Sequence, residues 1–310
     1  MTKTTQKAFS PAGFFITLVG AVLFSTKAIF VKLAFRATGV DAVSLLALRM
    51  IFSLPFYLLA AYIISRHGAN FRMSRRQWLL TFLLGIFGYY LSSLFDFIGL
   101  RYISAGLERL VLFLYPTFTV LLNLAFFKQK VLRNQWFALL LTYAGIGLAF
   151  LGEVNVEAAN KQFWWGSFCV FICSITYAVY LAGSGRIIPR IGSNRFTAYA
   201  MLSATLGVLL HYLFTKGSPD SLLHKEVVPY GILLAVVATV FPTFLLAQGM
   251  KRIGANNVAI VSGIGPVSTI LQAHYFLNER ISTEQIIGTL LVVGGVLLLG
   301  WKPAKTELEV

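Results

Sequence analysis

Six residues that can carry charge fall inside stretches apolar enough to cross a membrane: Lys27, Lys32, Arg49, Asp96, Glu108 and Arg109. An ionisable group at the centre of a bilayer costs about 2.5–3.5 kcal/mol on insertion scales, so each is a candidate for work on a substrate or an ion. Lys27, in LFSTKAIFVK, lies roughly 10–20 Å from either interface at 1.5 Å per residue. Its stem reaches only part of that distance, so snorkelling relieves the cost incompletely. Lys27 can bind a substrate carboxylate, carry a proton, or pair with Asp96 or Glu108. Ser25 and Thr26 beside it can add hydrogen bonds to a substrate or bond back to their own helix. Lys32 is near enough to the outer interface to snorkel. Arg49 can pair with Asp96, anchor its span or face an outer vestibule. Glu108, early in its helix, suits the positive end of the helix dipole. Arg109 in the same turn needs a partner. Four bases against two acids leave a surplus of +2, which favours substrates with an anionic group.

Deep within its spans, the second half of the chain has no Asp, Glu, Lys or Arg. It offers neutral polar groups instead: Tyr177, Tyr180, Gln248, Ser262, Ser268, Gln272 and His274. Gln248 and Gln272 can hydrogen-bond a substrate across a cavity. His274 can titrate in the physiological range. Tyr89, Tyr90, Phe95, Tyr115 and Tyr177 can line an apolar pocket. These readings give Lys27, Ser25, Tyr90, Tyr115, Tyr177, Gln248 and Gln272 as candidate substrate contacts. Asp96, Glu108, Arg109, Arg49 and His274 are candidates for proton coupling or gating. Pro116 and Pro266 interrupt helices and can act as hinges. Cys169 and Cys173 sit four apart in one apolar helix without His or carboxylate company, a poor metal site. No phosphate-binding glycine loop, zinc motif or nucleophile elbow is present. No cofactor, metal or enzymatic activity is expected.

The elements that must position these groups are helices in a membrane. The 310 residues are 57% hydrophobic and 12% charged, with a mean hydropathy of +0.77. Soluble domains average about 25% charged, so the composition excludes a soluble, disordered or disulfide-framed chain. The net charge of +15 contains no basic run longer than Arg75-Arg76, so it does not indicate a nucleic-acid partner. Ten apolar runs stand out, near 13–34, 41–64, 77–99, 104–127, 134–151, 163–183, 194–215, 228–249, 255–276 and 283–301. Their length and lack of alternation predict helices rather than barrel strands. With the N-terminus inside, 16 Lys and Arg lie in cytoplasmic segments and 6 in outer ones, counted along the sequence. That asymmetry predicts both termini in the cytoplasm.

The halves repeat. Shifted by 150 residues, ISAGLERLVLFLYPTFTVL (103–121) lies over IGANNVAIVSGIGPVSTIL (253–271). Ala105/Ala255, Pro116/Pro266, Thr119/Thr269, Gly99/Gly249 and Gly145/Gly295 coincide. Five spans per unit is an odd number, so two similar units must cross the membrane in opposite directions. The expected fold is an all-α integral membrane protein of ten transmembrane helices, arranged as two inverted five-helix repeats, 1–156 and 157–310. A cavity between such repeats can open first to one side and then to the other.

The paired segments around Pro116 and Pro266, and FLNERIS (276–282) at the end of the ninth run, resemble the EamA-type members of the drug/metabolite transporter superfamily. FFKQKVL (126–132) departs from that helix-exit pattern, with Gln129 where an acid is common. The resemblance implies a proton- or gradient-coupled carrier in a prokaryotic inner membrane, exporting amino acids or related carboxylates. It also implies a cavity lined by spans 1, 3, 4, 6, 8 and 9. The expected partners are a small-molecule substrate, the lipid bilayer and a coupling proton. An exporter of drug-like compounds and an intramembrane enzyme acting on lipid are the alternatives.

Overall fold

The computed structural model describes residues 11–67, 73–127, 133–157, 160–216 and 224–300. They form thirteen α-helices and two π-helical turns, with no strand among the described residues. In order these are α1 (Pro11–Thr38), α2 (Ala42–His67), α3 (Arg75–Gly85), a π turn at Ile86–Leu91, α4 (Ser92–Leu100), α5 (Ala105–Leu112), α6 (Tyr115–Phe127) and α7 (Arg133–Glu157). Then follow α8 (Lys161–Ile191), α9 (Ser193–Lys216), α10 (Val228–Ala235), a π turn at Val236–Val240, α11 (Phe241–Ser262), α12 (Gly265–Leu277) and α13 (Thr283–Gly300). Large apolar side chains such as Phe15, Leu59, Phe137, Phe214 and Leu290 remain exposed, as they must where the solvent is hydrocarbon. By length and composition seven segments can cross a membrane: Pro11–Thr38, Ala42–Arg66, Arg75–Leu100, Ala105–Phe126, Lys161–Ile191, Ser193–Thr215 and Val228–Leu246. The chain is a multi-pass, all-helical membrane protein. The remaining expected spans fall on α7, on the second part of α11 with α12, and on α13.

Local sequence explains the helix ends. Ser74 accepts from Gln77 N while the Gln77 side chain accepts from Ser74 N, a capping box that starts α3. Ser104 and Asn160 cap α5 and α8 by accepting from Leu107 N and Gln162 N. Gly39 and Gly192, just past α1 and α8, have φ of 65° and 86°. These are left-handed values that glycine adopts without a Cβ penalty.

The expected reversal near 250–254 falls within the helical residues of α11, Phe241–Ser262. A straight helix would separate Gly249 and Val258 by about 13 Å. Instead, a Cβ on Gly249 would stand 3.4 Å from Val258 Cγ2. The chain therefore turns back between them, and α11 is two abutting helical segments rather than one straight helix.

Element bounds recur at the spacing seen in the sequence. Adding 150 carries the start of α1 to that of α8, and the first π turn to the start of the second. The same shift carries the break Leu112/Tyr115 to Ser262/Gly265, the end of α6 to that of α12, and the start of α7 to that of α13. The irregular places recur along with the regular ones. Both breaks are closed by an i→i+3 bond, Leu114 N to Val111 O and Ile264 N to Val261 O.

Helices α7 and α13 pack at very close range. A Cβ on Gly145 would lie 2.5 Å from Gly288 O, and one on Gly288 would lie 2.5 Å from Gly145 O. Backbones approach this way only through small residues. Gly145→Ala should therefore cost about 1–3 kcal/mol through overpacking, read as a lower melting temperature in detergent. Gly147→Ala, where a Cβ meets nothing within 4 Å, should cost nothing. Equal losses in both variants would contradict this packing.

Candidate functional site

Four of the six charged groups, Lys27, Asp96, Glu108 and Arg109, lie where α1, α4 and α5 meet. Every residue of α5 is buried, so Glu108 and Arg109 have no route to solvent along their own helix. Lys27 Nζ lies 2.6 Å from Asp96 Oδ2, with both side chains at least nine-tenths buried. The approach is that of a buried ion pair. The Glu108 carboxyl lies beside that of Asp96, within electrostatic reach of Lys27. Its two oxygens are also buried. Two carboxyl groups against one ammonium form a cluster able to hold or release a proton. Cys173 of α8 borders it and shares a 3.4 Å contact between Sγ and Ser92 Oγ. Cys169 and Cys173 are free and buried.

Arg49 of α2 serves a different connection. Its Nε donates to Thr239 Oγ1 at 2.9 Å and its guanidinium NH1 to Ser93 Oγ at 3.1 Å. Thr239 stands in the second π turn and donates to Leu234 O, five residues back. Arg49 thus ties α2 and α4 to the irregular turn between α10 and α11. Of its three expected roles the structure gives the anchor. Ser93 and Thr239 carried no sequence signal, because their value comes only from facing Arg49.

Arg109 is 7% exposed. Its guanidinium carbon lies 5.8 Å from the Phe24 ring and 5.5 Å from the Phe113 ring. Its Nε has no hydrogen-bond partner. One terminal nitrogen would stand 2.7 Å from a Cβ on Gly265, the first residue of α12. From there tyrosines lead along the bundle. Ring centroids lie 5.0 Å apart for Tyr115–Tyr177, 5.6 Å for Tyr177–Tyr180 and 5.0 Å for Tyr89–Tyr180. The last pair shares a 2.9 Å hydroxyl contact.

Other sequence candidates lie elsewhere or are already engaged. The Ser25 hydroxyl donates to Ala21 O at 2.9 Å and reaches Gly265 O at 3.3 Å, joining α1 to the start of α12. Tyr90 turns the other way, its hydroxyl 2.9 Å from His211 Nδ1 on α9. Gln248 is exposed. Gln272 donates to Ser268 Oγ at 2.8 Å. His274 is exposed, with Nδ1 2.9 Å from Glu279 O. Pro116 and Pro266 each stand in the first turn after a helix break. Among the described residues no group of three or more His, Cys, Asp or Glu could hold a metal ion.

At the end of the bundle where α1 stops, a second polar cluster closes the helices together. Lys32, rather than snorkelling, donates to Ile103 O at 2.5 Å and lies 3.5 Å from Glu279 Oε1. The Glu279 carboxylate accepts from Ala105 N at 3.1 and 3.0 Å, and more loosely from Gly106 N at 3.5 Å. A carboxylate at a helix N-terminus satisfies orphan N–H groups and meets the positive end of the dipole. Arg36 adds a 2.6 Å bond to Leu277 O. Glu279 was legible in advance only as part of the helix-exit motif; the amides it caps lie 174 residues away.

Comparison with known proteins decides the family. The EamA-like transporter family matches residues 11–151 and again residues 164–301. The chain belongs to the EamA-like transporter family. An uncharacterized transporter of Bacillus subtilis, YcbK, is 32% identical over 304 residues, 96% of each chain. GDP-fucose transporter 1 of Dictyostelium discoideum is 22% identical over 65% of this chain and 55% of its own. A crystal structure 21% identical in sequence superposes with a TM-score of 0.60, covering 93% of this chain and 96% of that one. That likeness speaks for the fold. As an EamA-family member the chain is a transporter, and the buried cluster and tyrosine path lie inside its helices.

The Lys27–Asp96 contact is testable as a pair. Removing one partner leaves a buried charge, so Lys27→Met alone or Asp96→Asn alone should cost about 3–5 kcal/mol. The double variant Lys27→Met/Asp96→Asn should lose much less than the sum of the two single losses. Thermal unfolding of the purified protein measures both, and additive losses would show that the two groups do not act as a pair.

Proposed function

We propose that this EamA-family chain is a secondary carrier that moves small metabolites bearing a carboxylate, amino acids among them, out of the cell by alternating access. The moving parts are residues 1–156 and 157–310, acting as two inverted five-helix repeats. The observation that carries this reading is the 150-residue recurrence of helix starts, π turns and breaks. The family's double match, once in each half, supports it independently. A five-helix unit repeated once must cross in the opposite sense the second time. The excess of Lys and Arg supports both termini in the cytoplasm, and the proposed setting is a prokaryotic inner membrane.

In this orientation the Lys32–Glu279–Ala105 cluster is the outer closure. Its mate at the cytoplasmic end would use Gln129 and Ala182, which carry no charge; Gln129 lies outside the described residues. The two closures are therefore unequal, and the favoured resting form is closed outward and free to load from inside. Lys27, Asp96 and Glu108 form the coupling site, where a proton and a substrate charge exchange. Π turns and breaks within spans give the helices places to bend without leaving backbone groups unsatisfied.

Two measurements test this reading. Ser65 and Thr215, 150 residues apart and both exposed at helix ends, should lie on opposite faces of the membrane. A membrane-impermeant maleimide applied to intact cells should label Thr215→Cys and spare Ser65→Cys, in a background lacking Cys169 and Cys173. Labelling of both or of neither contradicts the inverted repeat. In proteoliposomes, an internal amino-acid substrate should accelerate uptake of its labelled form, the mark of a carrier; flux that ignores internal substrate would indicate a channel.

A further inference from the structure

On the outside of the bundle, an apolar groove ends among arginines that have no acid near them in sequence. We propose that this groove, between α3 and α9, binds an anionic phospholipid, with one acyl chain along the groove and the phosphate held by arginines at the ends of α2, α3 and α9. Such a site stands whether or not the chain is a carrier.

Helices α3 and α9 run side by side in the same direction. The rings of Trp78 and Tyr199 lie 4.6 Å apart, Ser203 Oγ donates to Phe82 O at 3.1 Å, and the Tyr90 hydroxyl meets His211. All three pairs are 121 residues apart, so the two helices start at the same end of the bundle. Between them lies a groove of about 240 Å³, walled by Trp78, Phe82, Tyr199, Leu202 and Leu206. Thr81 and Ser203, both buried, form its floor. Beneath it the helices touch: Gly85 lies so close to Ala200 and Ser203 that a Cβ would collide with them. A Cβ on Gly207 would stand 2.8 Å from Ile86 Cδ1, which closes the far end. Trp78, Phe82 and Leu206 are exposed, so the groove faces the lipid.

Its shape suits one chain. Tyr199, Leu202 and Leu206 recur every three or four residues, a single stripe about 10 Å long. One leaflet contributes about 15 Å of hydrocarbon, so the stripe covers most of that depth. The volume lies below the roughly 300–1,000 Å³ of pockets that enclose a whole small molecule. Trp and Tyr at the mouth are the residues that sit at headgroup level.

The mouth carries the charge. Arg75 stands one turn before Trp78 and Arg195 one turn before Tyr199. Arg66 follows Ser65, whose hydroxyl lies 3.2 Å from that of Tyr199. Arg66, Arg75 and Arg76 are exposed. Segments 66–76 and 186–195 together hold seven Arg and no Lys, Asp or Glu. Residues 42–95 and 158–219, which include all of α2, α3, α8 and α9, contain no acid at all. The basic segments 128–133, 251–252 and 302–305 all include lysine. A solvated positive charge is served by either residue, whereas a phosphate is matched best by the planar fork of arginine. Clustered basic residues beside a span attract anionic lipid. A free phosphate would leave the groove empty, and a choline headgroup would bring a like charge to the arginines. A lipid seated here touches one helix of each half of the chain.

The test titrates the full-length protein in dodecyl maltoside with phosphatidylglycerol carrying dibrominated acyl chains, and with the matching phosphatidylcholine. Bromine quenches a tryptophan that it touches, and the difference between the parent and Trp78→Phe isolates Trp78. Phosphatidylglycerol should quench Trp78 at a concentration roughly tenfold or more below phosphatidylcholine, and glycerol phosphate should not displace it. Arg66→Gln/Arg75→Gln should bring the phosphatidylglycerol curve to that of phosphatidylcholine. Lys251→Gln/Arg252→Gln, which removes the same charge elsewhere, should leave it in place. Leu206→Phe, which fills the groove, should also weaken quenching by phosphatidylglycerol, and serves if the arginine variant does not fold. Equal quenching by the two lipids would overturn the site, as would displacement by glycerol phosphate. So would the same loss in the Lys251/Arg252 variant, or a curve that neither the arginine variant nor Leu206→Phe moves. A Trp78 that no lipid quenches, in a particle with the mass of two chains, would put a second copy in the groove instead; the same silence in a single chain would leave the groove without a ligand.

Discussion

The structure is organised around a charge contact that lipid does not tolerate. Lys27 and Asp96, 2.6 Å apart and almost wholly buried, must be surrounded by protein on every side. Their desolvation is offset by mutual attraction only while the geometry holds. That requirement draws α1, α4 and α5 together, and it brings Glu108 and Arg109 inside with them. α5 is buried along its whole length because the charges it carries have nowhere else to go. Around this centre the other helices present apolar faces outward, as exposed Phe137, Phe214 and Leu290 show.

The irregular backbone is the second constraint. A transport path needs helices that can bend, yet each backbone group at membrane depth must keep a partner. Among the described residues the irregular places are two π turns, two breaks closed by i→i+3 bonds and the turn within α11. Two of them are attached to polar side chains: Thr239 of the second π turn to Arg49, and Gly265 of the second break to Ser25. Bending at these points would therefore be felt at the charged centre. That gives a physical link between what is bound and which end of the molecule is open.

Much of the fold could be read in the sequence, for reasons specific to membranes. Hydrophobic length sets each helix, so the expected first span 13–34 became Pro11–Thr38 and the fourth, 104–127, became Ala105–Phe127 with one break. The paired prolines foretold both breaks. The reversal inside α11 was legible too: the eighth apolar run ends at 249 and the ninth begins at 255, and the chain turns back between Gly249 and Val258. At the candidate site, charge singled out Lys27, Asp96, Glu108 and Arg109, since a charge in a span is costly. Charge did not say who pairs with whom. Lys27 lies against Asp96, and Lys32 meets Glu279 and Ile103 O at the end of the bundle where α1 stops. Gln248, exposed on α11, and Tyr90, directed at His211, show why polarity alone is a weak guide. A neutral polar group costs too little to dictate where it points.

In the proposed carrier the two halves move against each other and Glu279 holds the outer end shut. Arg101, before α5, and Arg280, after Glu279, are both exposed. Spin labels at these positions, in a cysteine-free background in lipid nanodiscs, report the separation directly by pulsed electron resonance. The account predicts a dominant short distance in the parent and a shift toward a longer one in Glu279→Gln, with the transported substrate redistributing the two. A single unchanging distance in both proteins would contradict it.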